Sequence, residues 1–305
     1  MAEPTILIIG GGTFGTSTAY HLSRTYTDPS RVTVVDRWAP SGSEANEAAA
    51  IDVNRIIQTN YVRPLYCNLA SEAIHPWFWD LNLGHFFHKT GCVTVDEENN
   101  QFSEAVRKTL KQRGSDYTTD ADVEDIGKRW KPLKGLETSG LGTAFFNPEA
   151  GWCDAALATQ SLMTAAKRNG DDVPQKLKDE SQKLLNTMMP DFAQEKSPDR
   201  WRICWDAKTP TEDWLLCRHP NPKLENLFLA VGGNFDTYKF LPVAGKYMCQ
   251  ILQGKNNGGE KDAAWGWKDE ATLMNAEKKE LGPKSSTLSL PEFRSFEEGN
   301  RSSKL

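Results

Sequence analysis

The chain has 305 residues, of which 38% are hydrophobic and 25% charged, a composition typical of a soluble globular protein with one large or two ordinary domains. Its net charge of -5 argues against a nucleic-acid partner, and no apolar run reaches the roughly 20 residues of a membrane span. The start, with Pro4 and a glycine cluster, does not predict a signal peptide. The six cysteines lack C-x-x-C spacing, so we expect neither a metal site nor a disulfide framework. This cysteine usage is typical of a protein in a reducing compartment.

The first predicted elements form a βαβ unit. Thr5–Ile9 is a short apolar run, which we expect to be a strand of a parallel sheet buried on both faces. A glycine turn follows, and then a helix from about Gly15 to Arg24. Arg31–Arg37 predicts a second buried strand that ends in an acid, which completes the unit.

The glycine turn between strand and helix predicts a dinucleotide site. In the spacing G-x-G-x-x-G, the first glycine allows the tight turn, the second allows backbone to approach a pyrophosphate, and the third allows close packing of helix and strand. Asp36 can accept ribose hydroxyls and argues against NADP, but it does not separate NAD from FAD. The alternative is a glycine turn that has only a structural role and binds no dinucleotide. The candidate cofactor-binding residues here are Gly10, Gly12, Thr13, Phe14, Gly15, Asp36, Arg37 and Ser43.

The following elements alternate between strands and helices. In the first half of the chain the pattern predicts a loop at Ser41–Ala50, a helix at Leu65–Trp79 broken near Pro76, a strand at Gly91–Glu97 and a helix at Ala105–Arg113. Next come a strand or turn at Phe145–Glu149 and a helix from about Asp154 to Arg168, which is stopped by Asn169-Gly170. The pattern then predicts an amphipathic helix at Lys176–Met189, a buried strand at Asn226–Gly233 and a helix at Leu241–Leu252. From Gly254 onward the chain is polar and weakly patterned, apart from the pair of tryptophans in Trp265-Gly266-Trp267, and we expect mostly a surface tail. The final Ser303-Lys304-Leu305 predicts a peroxisomal address, with a chance tripeptide as the alternative.

Several further stretches carry a family resemblance. They read RICWDAKTPTEDWLLCRHP at 202–220, NLFLAVGGNFDTYKFLPVAGKYMCQIL at 226–252, IDVNRIIQTNYVRPLYCNLASEAI at 51–74, FFHKTG at 86–91 and FFNPEAGWCDA at 145–155. Together they resemble the fungal fructosyl amino acid oxidases (amadoriases) and, more broadly, the family of monomeric sarcosine, saccharopine and pipecolate oxidases. The resemblance reaches to about Trp267 and implies FAD rather than NAD.

The resemblance also implies roles for individual residues. It implies that FAD is attached through a thioether at Cys204, that Lys239 meets a substrate carboxylate, and that Arg55 lies over the flavin. Gly232, where a strand runs into glycines, is a further candidate cofactor contact, as is Lys239. The alternatives are an ordinary buried cysteine for Cys204, a solvated surface lysine for Lys239 and a structural ion pair for Arg55.

The expected fold class is therefore α/β, with a Rossmann-type FAD-binding domain of the GR2 or DAO-like kind and a reduced second substrate domain. We expect the FAD-binding domain to comprise residues 1–80 and 150–255. Residues 81–149 would be a remnant of the substrate domain, and 256–305 the polar C-terminal tail with the peroxisomal signal.

Two departures from the family pattern are visible. The S-G-H-G run before the lysine is replaced by Asn234–Thr237, which removes small residues and places an acid near the expected flavin. After Gly170, the long family segment that completes the FAD domain and roofs the substrate is absent. This predicts either a diverged or shortened paralogue or a sequence that lacks an exon.

The function expected from these features is FAD-dependent oxidation of a secondary amine, of fructosyl or N-methyl amino acid type or a fungal secondary-metabolite intermediate, to an imine. O₂ would be reduced to H₂O₂. The expected partners are an amine substrate with a carboxylate, O₂ and the peroxisomal import receptor, with no nucleic acid and no membrane, and the protein would be a monomer. The alternatives are a catalytically impaired paralogue or incomplete sequence that keeps only a dinucleotide-binding unit, and an NAD-dependent dehydrogenase, against which the segments at Cys204 and Lys239 argue.

Overall fold

The computed structural model describes residues 3–28, 31–35, 50, 52, 54–162, 207–234 and 236–277. The described strands are β1 (Ile6–Ile9), β2 (Val32–Val35), β3 (Arg55–Ile57), β4 (Phe87–His88), β5 (Cys92–Glu97), β6 (Thr119–Ala121), β7 (Leu141–Asn147), β8 (Gly151–Cys153), β9 (Leu215–Arg218) and β10 (Phe228–Val231). The described α-helices are α1 (Thr13–Ser23), α2 (Pro64–Trp79), α3 (Phe102–Arg113), α4 (Ile126–Arg129), α5 (Ala155–Leu162), α6 (Ala244–Leu252), α7 (Gly259–Trp265) and α8 (Glu270–Glu277). A 3₁₀ turn, Thr237–Phe240, precedes α6.

The predicted βαβ unit is present. Strands β1 and β2 pair in parallel, with Ile6 opposite Val32, and α1 connects them. The expectation that β1 is buried on both faces is wrong for the described residues, because Leu7 is 59% and Ile9 82% exposed. Successive side chains of a strand point to opposite faces, and the described elements cover only the face that α1 packs against.

Antiparallel pairing builds the middle of the chain. One sheet has the strand order β3-β8-β4 and another the order β5-β7-β6. Helix α3 lies on the second sheet, and its Val106 and Leu110 are buried together with Phe145 of β7. The predicted strand near Phe145 is therefore longer than expected and begins at Leu141.

An aromatic cluster around Trp214 forms the centre of the largest hydrophobic core among the described residues. The Trp214 ring lies 5.4 Å from that of Phe14, 5.1 Å from that of Phe240 and 4.9 Å from that of Trp265, measured between ring centroids. Phe14 belongs to α1, Phe240 to the 3₁₀ turn and Trp265 to α7. The cluster thus joins the glycine turn to the segment that carries Lys239.

Helices α1 and α6 cross at very short range. A Cβ atom on Gly245 would lie 2.1 Å from the carbonyl carbon of Ser17, so only glycine allows this approach. The Gly245 N–H donates to the Ser17 hydroxyl at 2.7 Å, and His21 Nε2 donates to the carbonyl oxygen of Pro242 at 2.8 Å. These contacts fix α1 against the C-terminal half of the described chain.

Two predictions of local structure are wrong. Helix α2 continues through Pro76 to Trp79, because a proline so near the end removes only one backbone bond and the buried Trp77 holds the last turn by donating to the carbonyl oxygen of Lys239 at 2.8 Å. The segment after Gly254 is also more than a surface tail. It forms α7 and α8, and Trp265 is fully buried against Trp214.

The predictions for 36–49 and 163–206, including the helix Lys176–Met189, lie outside the described residues, as does the tripeptide Ser303-Lys304-Leu305. The proposed domain boundaries stay predictions. None of the helices in the described ranges is both long and apolar enough to cross a bilayer, and no group of three potential metal ligands occurs there.

Candidate functional site

The three glycines of the turn have the geometry that their predicted roles require. Gly10 has φ of 100°, a value that permits the tight turn after β1. A Cβ on Gly15 would lie 1.8 Å from the carbonyl oxygen of Gly10, so glycine is required for α1 to pack on the turn. A Cβ on Gly12 would meet no atom within 4 Å. The backbone at Gly12 is thus approachable, as a pyrophosphate requires.

The N-terminus of α1 lies directly after this turn. Gly12 is the N-cap, and its carbonyl oxygen accepts from the Thr16 N–H at 2.8 Å, while the Thr16 hydroxyl donates to the carbonyl oxygen of Gly11 at 2.6 Å. The first N–H groups of any helix have no acceptor within that helix, and its dipole favours an anion there. Thr13 and Phe14 therefore present backbone groups to this position, whereas the Phe14 ring packs on Trp214.

Four predicted cofactor contacts lie outside the described residues. They are Asp36, Arg37, Ser43 and Cys204. Their placement relative to the glycine turn stays a prediction.

Gly232 follows β10 and is held in a closed turn. It has φ of 81°, and a Cβ there would lie 2.6 Å from the Thr209 side chain. The Asn234 amide donates to the carbonyl oxygen of Gly232 at 2.7 Å and accepts from the Thr209 N–H at 2.7 Å. Asn234, one of the residues that depart from the family pattern, thus fastens this turn to the segment before β9.

Lys239 lies in the 3₁₀ turn and is only 4% exposed. Its Nζ lies 2.8 Å from Oδ1 of Asp236 and 4.8 Å from the ring centroid of Tyr61. The alternative of a solvated surface lysine is therefore wrong. The structure instead places a paired ammonium in the interior, over an aromatic face that itself stabilises a cation.

A buried polar network positions the residues next to Tyr61. The Asn147 amide donates to the Asn60 side-chain oxygen at 2.7 Å, and the Asn60 amide donates to the Thr94 hydroxyl at 3.1 Å. These bonds connect the turn after β3 to strands β5 and β7. Asn60 and its neighbour Tyr61 are thereby fixed relative to the second sheet.

Two protonation states near Lys239 follow from burial. Burial, and secondarily the negative charge of Asp236, raise the pKa of Tyr61 well above its ordinary value, and its hydroxyl has no hydrogen-bond partner among the described residues. Burial also raises the pKa of the Cys92 thiol, against the opposing charge of Lys239. Both groups are therefore neutral at pH 7, and Lys239 with Asp236 carries the charge at this site.

Arg55 is in β3, which packs against the 3₁₀ turn of Lys239. Its Nη1 lies 2.7 Å from Oδ2 of Asp52. The structural ion pair that was the alternative for Arg55 is thus present. The position of Arg55 over the flavin stays a prediction. The fold thus brings together β3, which carries Arg55, and the 3₁₀ turn, which carries Lys239.

Sequence reasoning missed the partners of both cations. Asp236 was noted as a departure from the family pattern, but its position three residues before Lys239 could have indicated an ion pair. Asp52 has the same spacing to Arg55. Nothing in the sequence indicates that the Tyr61 ring lies under Lys239, because the two residues belong to distant parts of the chain.

The comparisons with known proteins identify the lineage. The family described as "DAO: FAD dependent oxidoreductase" matches residues 5–173, which is more than half of the chain. The chain belongs to this family. Membership of this family supports FAD as the cofactor and argues against an NAD-dependent dehydrogenase. The match ends close to Gly170, where the sequence departs from the family pattern.

Two curated relatives are similar over part of their length. L-saccharopine oxidase of Schizosaccharomyces pombe is 27% identical over 174 residues, which is 54% of this chain and 39% of that protein. Amino acid oxidase imqH of Aspergillus flavus is 34% identical over 103 residues, which is 32% of this chain and 22% of that protein. The matched region thus spans well under half the length of either relative.

Solved structures are similar in fold. Fructosyl peptide oxidase from E. terrenum matches with a TM-score of 0.72 at 18% identity, over 87% of this chain and 92% of that chain. Amadoriase II from Aspergillus fumigatus matches with a TM-score of 0.70 at 18% identity, over 91% of each chain. The expected α/β fold class of DAO-like FAD-binding proteins is confirmed.

Proposed function

We propose that the protein is an FAD-dependent oxidase that converts a secondary amine to an imine and reduces O₂ to H₂O₂. The observation that carries this proposal is the glycine turn, open at Gly12 and followed by the N-terminus of α1, in a chain of the FAD dependent oxidoreductase family. The relatives named saccharopine oxidase and fructosyl peptide oxidase support an amine as the substrate.

The residues of the turn fit the pyrophosphate of FAD. Gly12 leaves room for the phosphates, and the backbone N–H groups at the start of α1 would donate to them. Asp36 would accept hydroxyls of the ribose and Cys204 would hold the flavin covalently. Bound FAD supplies the acceptor for the two electrons and the hydrogen that leave the amine C–H bond.

The two candidate cations, Lys239 and Arg55, would orient the substrate. Lys239 holds a buried positive charge next to the Tyr61 ring, and Arg55 lies on the adjoining strand. A fixed cation in an interior site attracts a substrate anion and stabilises negative charge more strongly than one in water. Asp236 offsets part of this effect at Lys239.

A second candidate function is that of a catalytically impaired paralogue that binds the dinucleotide without turnover. A sequence that lacks an exon is the other interpretation of the same features. The early end of the family match and the replaced run Asn234–Thr237 favour this alternative. Sequencing the transcript across Gly170-Asp171 distinguishes a genuine short form from a missing exon.

Flavin content and reduction test the proposed function. We expect the purified protein to be yellow, to keep its flavin in a denatured pellet, and to lose it from the pellet in Cys204→Ser. Anaerobic addition of a secondary amine should bleach the flavin absorbance, and air should restore it with release of H₂O₂. Colourless soluble protein would overturn the proposal, while bound flavin that no amine reduces would favour the impaired paralogue.

We further propose that Ser303-Lys304-Leu305 directs the protein to peroxisomes, a location suited to a producer of H₂O₂. A fluorescent protein fused before the chain should colocalise with peroxisomes. Deleting the last three residues should release the fusion to the cytosol, and unchanged localisation after this deletion would contradict the proposal.

A further inference from the structure

A groove of about 900 Å³ lies between α3 and the strands β6 and β7. One face of α3 forms one wall, and the end of β6 with the two residues after it forms the other. Residues 142–145 of β7 line the groove between these walls. The groove shares no lining residue with the glycine turn, with β3 or with the 3₁₀ turn that carries Lys239. It is therefore a separate candidate for a binding site.

The charges of the groove change sign along its length, and one end is acidic. Asp96 accepts from the Ser103 N–H at 2.9 Å and from the Thr143 hydroxyl at 3.4 Å, which places the first turn of α3 beside Thr143. Glu104 and Asp122 line this end of the groove. Because Asp96 already accepts from the start of α3, this end favours a cation over an anion.

The other end of the groove is basic. Arg107 donates through Nη1 to Asp120, which lies opposite Phe145 in the sheet. Lys108 adjoins Arg107, and Lys111 lies one turn further along α3. Within the described part of the chain, no carboxylate lies within 4.0 Å of either lysine ammonium. Asp120 thus balances Arg107, whereas the two lysines remain for an anionic group of a ligand.

Strand β7 offers backbone groups along the groove. Strand β6 pairs with β7 only between Ala144 and Phe146, so Gly142 and Thr143 lie beyond the end of β6. A ligand with an extended backbone can lie beside such a segment and hydrogen-bond to it. The start and end of the groove wall on α3 lie two helical turns apart, which is about 10 Å. Three extended amino-acid residues also span about 10 Å.

We propose that this groove binds a short peptide of about three residues in extended form. Its terminal ammonium lies at Glu104 and Asp122, and its terminal carboxylate lies at Lys108 and Lys111. The C-terminal segment of a partner protein would supply the same carboxylate but no ammonium at this distance. These side chains are exposed, so their ion pairs are hydrated, and the affinity is weak and falls with added salt.

Four forms of trialanine test the two ends of the groove. They are the free peptide, the N-acetylated peptide, the C-terminal amide and the peptide blocked at both ends. Titration of the full chain, followed by amide NMR shifts, gives four dissociation constants. We expect the free peptide to bind about threefold more tightly than either singly blocked form and about tenfold more tightly than the doubly blocked form. The shifted amides should include Gly142 and Thr143 but not Gly12.

Variants that remove charge assign each end of the peptide. In Lys108→Gln combined with Lys111→Gln, the free peptide and its amide should bind equally, while acetylation should still weaken binding. Glu104→Gln combined with Asp122→Asn should have the reverse effect. Lys131→Gln is the matched control, because Lys131 is an exposed lysine outside the groove, and it should leave all four constants unchanged.

Three results would overturn the proposal. They are equal affinity for the four ligands, no saturable binding at millimolar peptide, and shifts confined to residues outside the groove. Full affinity of the acetylated peptide would also contradict it, because the groove would then recognise a carboxylate alone, as at the C-terminus of a partner protein. Absence of flavin would count against the proposed function only, since none of these measurements depends on FAD.

Discussion

The glycine turn and the Lys239 site differ in how far apart their parts lie in the sequence. The turn draws all its essential atoms from Gly10 to Gly15, so its geometry follows from one short motif. The Lys239 site combines Asp236 and Lys239 with Tyr61, which reaches it through the folded chain. A site built from one segment is visible in the sequence, whereas a site built from several needs the packing that brings them together.

The two regions nevertheless share one support. Trp214 touches Phe14 on the side of the turn and Phe240 on the side of Lys239, and Trp265 stacks on it. A substitution in this cluster should disturb both the glycine turn and the Lys239 site. A substitution within one of these two regions should disturb that region more than the other.

Removing Trp265 should have the largest effect. Trp265→Ala deletes a fully buried ring, and we expect a loss of about 4 kcal/mol in the free energy of unfolding from lost burial and the cavity left behind. Trp267→Ala is the control, because Trp267 is 51% exposed. Denaturant unfolding measures both. Equal small losses would show that α7 does not support the core.

Gly15→Ala should follow, with a loss of about 3 kcal/mol, since the new Cβ collides with the rigid carbonyl of Gly10. Gly12→Ala meets no protein atom, so its stability should stay within about 1 kcal/mol of the wild type. Flavin absorbance per protein should fall in both. Normal flavin content in Gly12→Ala would contradict the assignment of the turn as the pyrophosphate site.

Asn147→Ala tests the network beside Tyr61. It leaves the Asn60 oxygen and the Glu149 N–H without their partner, which should cost about 2 kcal/mol of stability. Asn226→Ala removes an exposed amide and should change stability by less than about 0.5 kcal/mol. Chemical denaturation compares the two. If flavin content falls as far in Asn147→Ala as in Gly12→Ala, the two regions are less separate than we infer.

The smallest expected effect is a pH dependence at the junction of α1 and α6. Burial lowers the pKa of His21 below its ordinary 6.5, although the Pro242 carbonyl acts in the opposite direction. The unfolded chain then binds more protons than the folded one, so this part of the stability is present above pH 6.5 and declines as the pH falls below it. The free energy of unfolding of the wild type and of His21→Gln should be measured between pH 5 and 8. We expect its slope against pH to differ between the two proteins only at the acidic end. Parallel curves over the whole range would contradict the prediction.

Local pattern predicted much of the fold, and its failures have physical causes. Helix α1, strand β5 and the strand near Phe228 follow from periodicity and glycine positions. The continuation of α2 past Pro76 was missed because a tertiary bond from Trp77 holds its last turn. The burial of Trp265 was missed because the residues around it are mostly polar and give no buried pattern, whereas its single ring packs on Trp214.

The sequence by itself determined the glycine turn, because the geometry of a tight turn before a helix depends on a few adjacent residues. The FAD lineage followed from the resemblance of several separate stretches to one family, which the family match supports. Only the tertiary structure decided that Lys239 is buried, that Asp236 neutralises it and that the Tyr61 ring lies beside it. Those facts depend on desolvation and on contacts between distant segments, and neither property belongs to any one stretch of the chain.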